Sequence, residues 1–175
     1  INKYMMETNA KLYALSLSDY KTYVFAALFV IGNIALPQLC HLIPQGGLML
    51  LPIYFFTLVG AYKFGTNVGL LTAILSPLVN SALFGMPAVA VLPSILLKSA
   101  ILAIAAGYIA KRSQKVSLLA ITAVVLLYQV IGTIGEFAIN GGNFNLAIQD
   151  FRIGMPGILL QIFGGYAVIK YLIRK

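Results

Sequence analysis

The stretch 129–152, QVIGTIGEFAINGGNFNLAIQDFR, sets the reading of the chain. It closes one long apolar run, carries the carboxylate of Glu136 inside that run, turns through NGGN and opens the next run with Arg152. The chain is 61% hydrophobic and only 9% charged, so a carboxylate inside an apolar segment needs a physical reason. Mean hydropathy is +0.95 over 175 residues. A water-soluble globule of this size cannot hide that much apolar surface, so lipid is the matching solvent. A hydrocarbon core of about 30 Å takes about 20 apolar residues per helical crossing. Backbone groups in lipid must pair internally, which leaves helices or a closed barrel. The runs are long and do not alternate, so helices are predicted.

Working outward from that stretch, the apolar runs predict six spans, at about 23–42, 48–64, 68–84, 93–110, 116–139 and 151–173. The breaks between them are PQGG after His41, the GTN turn at Gly65, an apolar loop from Gly85 to Pro93, the charged KRSQK turn, and the loop 140–150. A polar arm over 1–22 precedes the six-helix unit of 23–175, with Ser16 and Asp19 at capping-box spacing. No cleavable signal peptide is expected, because the first apolar run starts late and is long. The fold class is therefore all-α: a polytopic membrane protein of six transmembrane helices.

Charge orients it. With six spans both termini share one side, and that side holds Lys3, Lys11, Lys21, Lys63, Lys111, Arg112, Lys115, Lys170, Arg174 and Lys175. These are ten of the twelve basic residues; the other side has only Arg152, and Lys98 lies within a span. Both termini are predicted cytoplasmic, in the cell membrane of a prokaryote. The net charge of +8 reads as topology and contact with anionic lipid, not nucleic-acid binding.

Lys98 lies roughly 8 Å inside the outer end of span 4, at about 1.5 Å per residue. Glu136 lies just inside the outer end of span 5, and Arg152 opens span 6 from that side. Ionisable groups at such depth are candidate ligand-binding residues, since burying them unpaired costs several kcal/mol. Two plainer readings stay open: Lys98 and Glu136 pair with each other, or Lys98 snorkels outward. Gln129, Gly132, Glu136 and Asn140 share one helix face, where Gly132 and Gly135 have room for a neighbour or a ligand. Thr72, Ser76 and Asn80 form a polar seam suited to helix–helix hydrogen bonds, with Asn80 nearest the outer side. Gly154, Gly157, Gln161 and Gly164 form a packing stripe, with Gln161 also a pocket candidate. Tyr128 and Tyr54 are candidates to stack on an aromatic ligand. His41 and Gln45 flank the first outer break, and the Gly- and Pro-rich outer loops suit lids.

Several chemistries are unsupported. There is no GxxxxGK[ST] loop, HExxH or GxSxG, one cysteine (Cys40) and one histidine. No catalytic residue, metal or cofactor is expected, and the chain is not read as an enzyme. Four acidic residues, with only Glu136 placed in a span, do not make a carboxylate relay.

The run PQGGLMLLPIYFFTLVGAYKFGTNVGLLTAILSPLVNSALFGMP, together with size, six spans and inside termini, resembles the substrate-binding S component of energy-coupling factor (ECF) vitamin transporters. The resemblance covers nearly the whole chain. It implies capture of a vitamin or related micronutrient from outside, and docking on a membrane coupling (T) subunit and two cytoplasmic ATPases. It further implies toppling of the S component in the bilayer to deliver the ligand inward. In that family, spans 4 to 6 and the outer loops form the pocket, where Lys98, Glu136, Asn140 and Arg152 fall. Small residues of span 1 contact the coupling subunit; Ala27, Ile31 and Ala35 occupy that spacing, with Gly32 beside them, and Ile31 departs from the pattern. The riboflavin-type KxDFSDIP run is missing and there is no tryptophan, which speaks against riboflavin and thiamin. Lys98 and Arg152 against a single Glu136 suit a carboxylate-bearing or zwitterionic ligand. The alternative is a small oligomeric channel or facilitator that needs no ATPase partners.

Overall fold

The computed structural model describes residues 12–171 and, in backbone only, 7–8. Lys3, Lys11, Arg174 and Lys175 of the charge argument lie outside the described residues. Helix α1 spans Tyr20–Cys40 and is started by Asp19, whose side chain accepts from the Lys21 N–H. The Ser16–Asp19 pair does not form a capping box: the Ser16 hydroxyl accepts from Ser18 instead, and Asp19 alone caps. Residues 12–19 are not helical.

The expected second span is interrupted. It comprises α2 (Gly46–Leu50), a 3₁₀ turn at Pro52–Tyr54 and α3 (Phe55–Phe64). Leu51 causes the break: it sits at φ 47°, a left-handed conformation costing about 1–2 kcal/mol for a non-glycine residue. Pro52, with no N–H to give, follows it. Gly65, at φ 100°, then turns the chain into α4 (Thr66–Phe84). Helix α5 (Leu92–Ser113) runs through Lys111 and Arg112, so the charged turn is shorter than KRSQK and centres on Gln114. Ser117 caps α6 (Leu118–Ile139). Two short helices, α7 (Phe144–Ala147) and α8 (Gln149–Arg152), fill the long loop. The last run is α9 (Met155–Leu159), a π turn over Leu160–Gly164 and α10 (Gly165–Tyr171).

Among the described residues the architecture is all-α apart from a two-residue clasp, in which β1 (Glu7–Thr8) pairs antiparallel with β2 (Val116–Ser117). Among the described residues four helical segments are long and apolar enough to cross a membrane: Tyr20–Cys40, Thr66–Phe84, Val89–Ser113 and Leu118–Ile139. The expected spans 2 and 6 are not among them within the described residues. Their apolar runs fold as the shorter helices just described.

The bundle is oily outside and polar within. Leu28, Ile31, Ile104, Leu119, Val130 and Ile134 are exposed, whereas Asn33, Thr57, Thr72, Ser76, Asn80, Lys98 and Gln129 are buried. That inversion fits helices solvated by lipid, whose polar groups must find partners inside. Packing is close where glycine permits it. A Cβ on Gly157 would collide with the Leu50 backbone, and one on Gly154 with Leu51, so this stripe seats the last run against the break at Leu51.

The two ends of the bundle differ. At one end Tyr13 and Leu15 donate their backbone N–H groups to Lys63 and Phe64, and the Tyr62 hydroxyl donates to the Lys115 carbonyl. Lys21, Lys63, Lys111, Arg112 and Lys170 belong to elements that begin or finish at this end, and Lys115 lies in the turn between α5 and β2. The opposite end carries the three connections 41–54, 85–91 and 140–154.

Candidate functional site

At the loop end, between the connection after α1 and the connection after α4, lies a cavity of about 650 Å³. Its wall is mostly apolar: Pro37, Ile43, Ile53, Met86, Val91 and Ile95 face it together with the Gly46–Leu48 turn. Three of the expected site residues, His41, Gln45 and Asn80, also line it. The loop is folded tightly onto the end of α1. A Cβ on Gly46 would strike the Cys40 carbonyl, and one on Gly47 would come within 2.6 Å of His41 Nε2.

Asn80 is the buried polar group of this wall, at 1% exposure. Its Nδ2 donates to the Asn33 carbonyl at 2.8 Å and to the Ser76 carbonyl at 3.0 Å. The Asn33 carbonyl is available because its usual helical donor, four residues on, is Pro37, which has no N–H. Asn80 therefore repairs a backbone bond that proline removes. Its Oδ1 is buried without a partner. Asn33 in turn uses its own side chain as a hub: Nδ2 donates to Thr57 Oγ1 at 3.1 Å and Ser76 Oγ at 3.2 Å, and Oδ1 accepts from the Phe56 N–H at 3.1 Å. The hub joins α1, α3 and α4 directly behind the cavity. Within the seam Thr72, Ser76 and Asn80, the last two reach α1, while Thr72 bonds back to Val68 in its own helix.

A second polar region lies one turn further along α5. Lys98 is 2% exposed, and its ammonium is held between Asp150 Oδ2 at 2.8 Å and Glu136 Oε2. Gly132 makes the crossing possible, since a Cβ there would lie 2.6 Å from Lys98 Cγ. Gly135 likewise accommodates Leu97. The faces of these glycines thus admit α5. Below this triad the Tyr128 hydroxyl donates to Gln161 Oε1 at 2.7 Å and accepts from Gln129 Nε2 at 2.8 Å. The Tyr54 ring packs on Tyr128 at 5.5 Å between centroids. Gln129 Oε1, Gln161 Nε2, Ser99 Oγ and Thr133 Oγ1 are buried there without partners.

No family model, curated protein or solved structure matches the chain. The arrangement is therefore read from its own residues. Lys98, Glu136, Tyr128, Gln129 and Gln161 gather around the α5–α6 contact, and none of them lines the cavity. Asn140 caps the end of α6, half-buried. Arg152 ends α8 with its side chain exposed, and the carboxylates of Glu136 and Asp150 are paired with Lys98. On α1, Ala27, Ile31 and Ala35 face outward along one stripe, whereas Gly32 turns inward against Phe56.

Two residues escaped the sequence reading. Asp150 looks like a loop residue next to Arg152, but α8 folds it back onto Lys98. Asn33 looks like an isolated polar residue in an apolar run; its signal was the spacing to Pro37, one turn later, where a carbonyl is bound to lose its donor.

Proposed function

We propose that the chain captures a small vitamin-like molecule at the outer face of a prokaryotic cell membrane, as the substrate-specificity S component of an ECF transporter. The observation that carries this reading is the cavity of about 650 Å³ at the loop end, mostly apolar, with His41, Gln45 and Asn80 among its lining residues. A concave, mainly apolar space of a few hundred Å³ with few convergent polar groups is the usual form of a small-molecule site. The basic residues at the opposite end support cytoplasmic termini, which puts the cavity outside. The outward stripe of Ala27, Ile31 and Ala35 supports a helix–helix contact with a membrane coupling subunit. Two cytoplasmic ATPases then supply the energy.

The test is reconstitution in liposomes. Uptake of the captured ligand is expected only when the coupling subunit, the ATPases and ATP are all present. Flux through the chain alone would overturn the reading in favour of a facilitator.

A further inference from the structure

We propose that Gln45 recognises the guest of the loop-end cavity, and that this guest is an uncharged, mainly apolar molecule bearing a carboxamide-type group. The proposal rests on the capture reading above and adds the ligand class to it. Three non-glycine residues among those described hold a left-handed backbone: Gln45 at φ 57°, Leu51 at φ 47° and Gln114 at φ 52°. Side chains rarely adopt that conformation, so each case needs a compensating gain. Leu51 finds it in packing, at 5% exposure within the core. Gln114 finds it in a hydrogen bond, its Nε2 donating to the Lys111 carbonyl at 2.8 Å. Gln45 has neither: it is exposed, and its side chain does not cap α2, the helix it precedes. Glycine, which holds this conformation without strain, occupies the next two positions instead, where a Cβ on Gly46 would strike the Cys40 carbonyl. The chain thus keeps a glutamine at the one position of this turn where glycine is conformationally favoured. Gln45 lines the cavity, so the contact that offsets its backbone is assigned to a guest.

The rest of the wall sets the charge of that guest. Among the described residues no Lys, Arg, Asp or Glu lines the cavity, whose polar side chains are His41, Gln45 and Asn80. Asn80 is 1% exposed and its nitrogen is taken by two carbonyls. His41 and Gln45, both exposed, are therefore the polar groups within a guest's reach. The Lys98 ammonium, one turn beyond Ile95 on α5, does not line the cavity and is held by two carboxylates. A carboxylate-bearing guest, suggested by Lys98 and Arg152 in the sequence, meets no lysine or arginine on this wall. A carboxamide complements the Gln45 amide, since each offers N–H donors beside a carbonyl acceptor, and it brings no charge to desolvate.

Indole-3-acetamide and indole-3-acetate form the discriminating pair, equal in shape and different in charge; 3-ethylindole lacks the polar group. The chain has no tryptophan, so indole fluorescence is read directly in nanodiscs, with empty discs subtracting partition into lipid. Indole-3-acetamide is expected to bind saturably and at least about tenfold tighter than indole-3-acetate. Gln45→Gly should weaken indole-3-acetamide about fivefold, leave 3-ethylindole unchanged and raise the melting temperature of the unliganded protein. Gln114→Gly, the same backbone change at the opposite end of the bundle, should leave both affinities unchanged. The proposal is overturned by any of three results: no saturable binding of indole-3-acetamide, tighter binding of indole-3-acetate, or a Gln45→Gly protein that keeps full affinity or weakens both neutral probes equally. A Gln45→Gly protein that melts below wild type overturns it too, since the side chain would then be stabilising the fold itself. If the proposal fails while the chain still associates with a coupling subunit and two ATPases, the ligand class is wrong and the S-component reading stands. If the carboxamide preference holds but no such association forms, the reverse is true.

Discussion

Ile95 on the cavity wall and the buried ammonium of Lys98 are one turn apart on α5, yet the two polar regions they mark are built by different rules. Around Lys98 the charges close on themselves: one ammonium meets two carboxylates, and α5, α6 and α8 are tied together. Around Asn80 everything is neutral, the amide nitrogen is doubly engaged, and the oxygen is left over. The difference teaches that a buried charge is evidence of binding only after its partners are counted. Neutral atoms left unpaired mark both regions, Asn80 Oδ1 in one and Gln129 Oε1, Gln161 Nε2, Ser99 Oγ and Thr133 Oγ1 in the other.

The comparison breaks most readily at Lys98. Lys98→Ala leaves two partly buried carboxylates without their cation, and a loss of about 3 kcal/mol in unfolding free energy is expected. The triple change Lys98→Met, Glu136→Gln, Asp150→Asn should recover most of it in thermal melts. A fully stable Lys98→Ala protein would show that the two carboxylates do not need their cation. Asn33→Ala comes next, at about 2 kcal/mol, since it strips partners from the Phe56 N–H and two buried hydroxyls. Chemical denaturation in mild detergent measures it; an unchanged midpoint would mean that the hub is dispensable. Gly132→Ala should cost about 1 kcal/mol net, as crowding of the Lys98 stem outweighs the helical gain of alanine. A stabilised variant would show that the stem moves aside freely. The smallest effect is sought at Pro37→Ala, with stability within about 1 kcal/mol of wild type. The restored N–H competes with the Asn80 amide for the Asn33 carbonyl, so a helical bond offsets the one that is lost. A larger loss in denaturation midpoint would show that the new N–H does not replace the Asn80 bond.

The long helices were legible in the sequence because their apolar runs continue without a left-handed residue, Pro37 and Pro77 lying inside α1 and α4 without ending them. The four membrane-length helices begin and end within a few residues of the hydropathy breaks. Spans 2 and 6 read as continuous only because hydropathy is blind to backbone conformation. Leu51 is apolar and buried, so nothing in its side chain announces a left-handed residue. Glu136 and Lys98 stood out by charge, but Asp150 did not, since a carboxylate in a loop is unremarkable until the loop folds inward. The cavity residues His41, Gln45 and Asn80 were visible as polar groups near one end. That they share a wall depends on contacts between stretches some forty residues apart, which no local pattern encodes.

The mooring of the segment before α1 has a practical consequence. Leu15 gives its N–H to Phe64 and takes the Asn67 side-chain amide on its carbonyl, so one residue grips both sides of the turn between α3 and α4. A pull on this segment, from a fused tag or a tethered surface, acts directly on that turn. Handles for purification or single-molecule force work therefore disturb the bundle least when they are attached elsewhere.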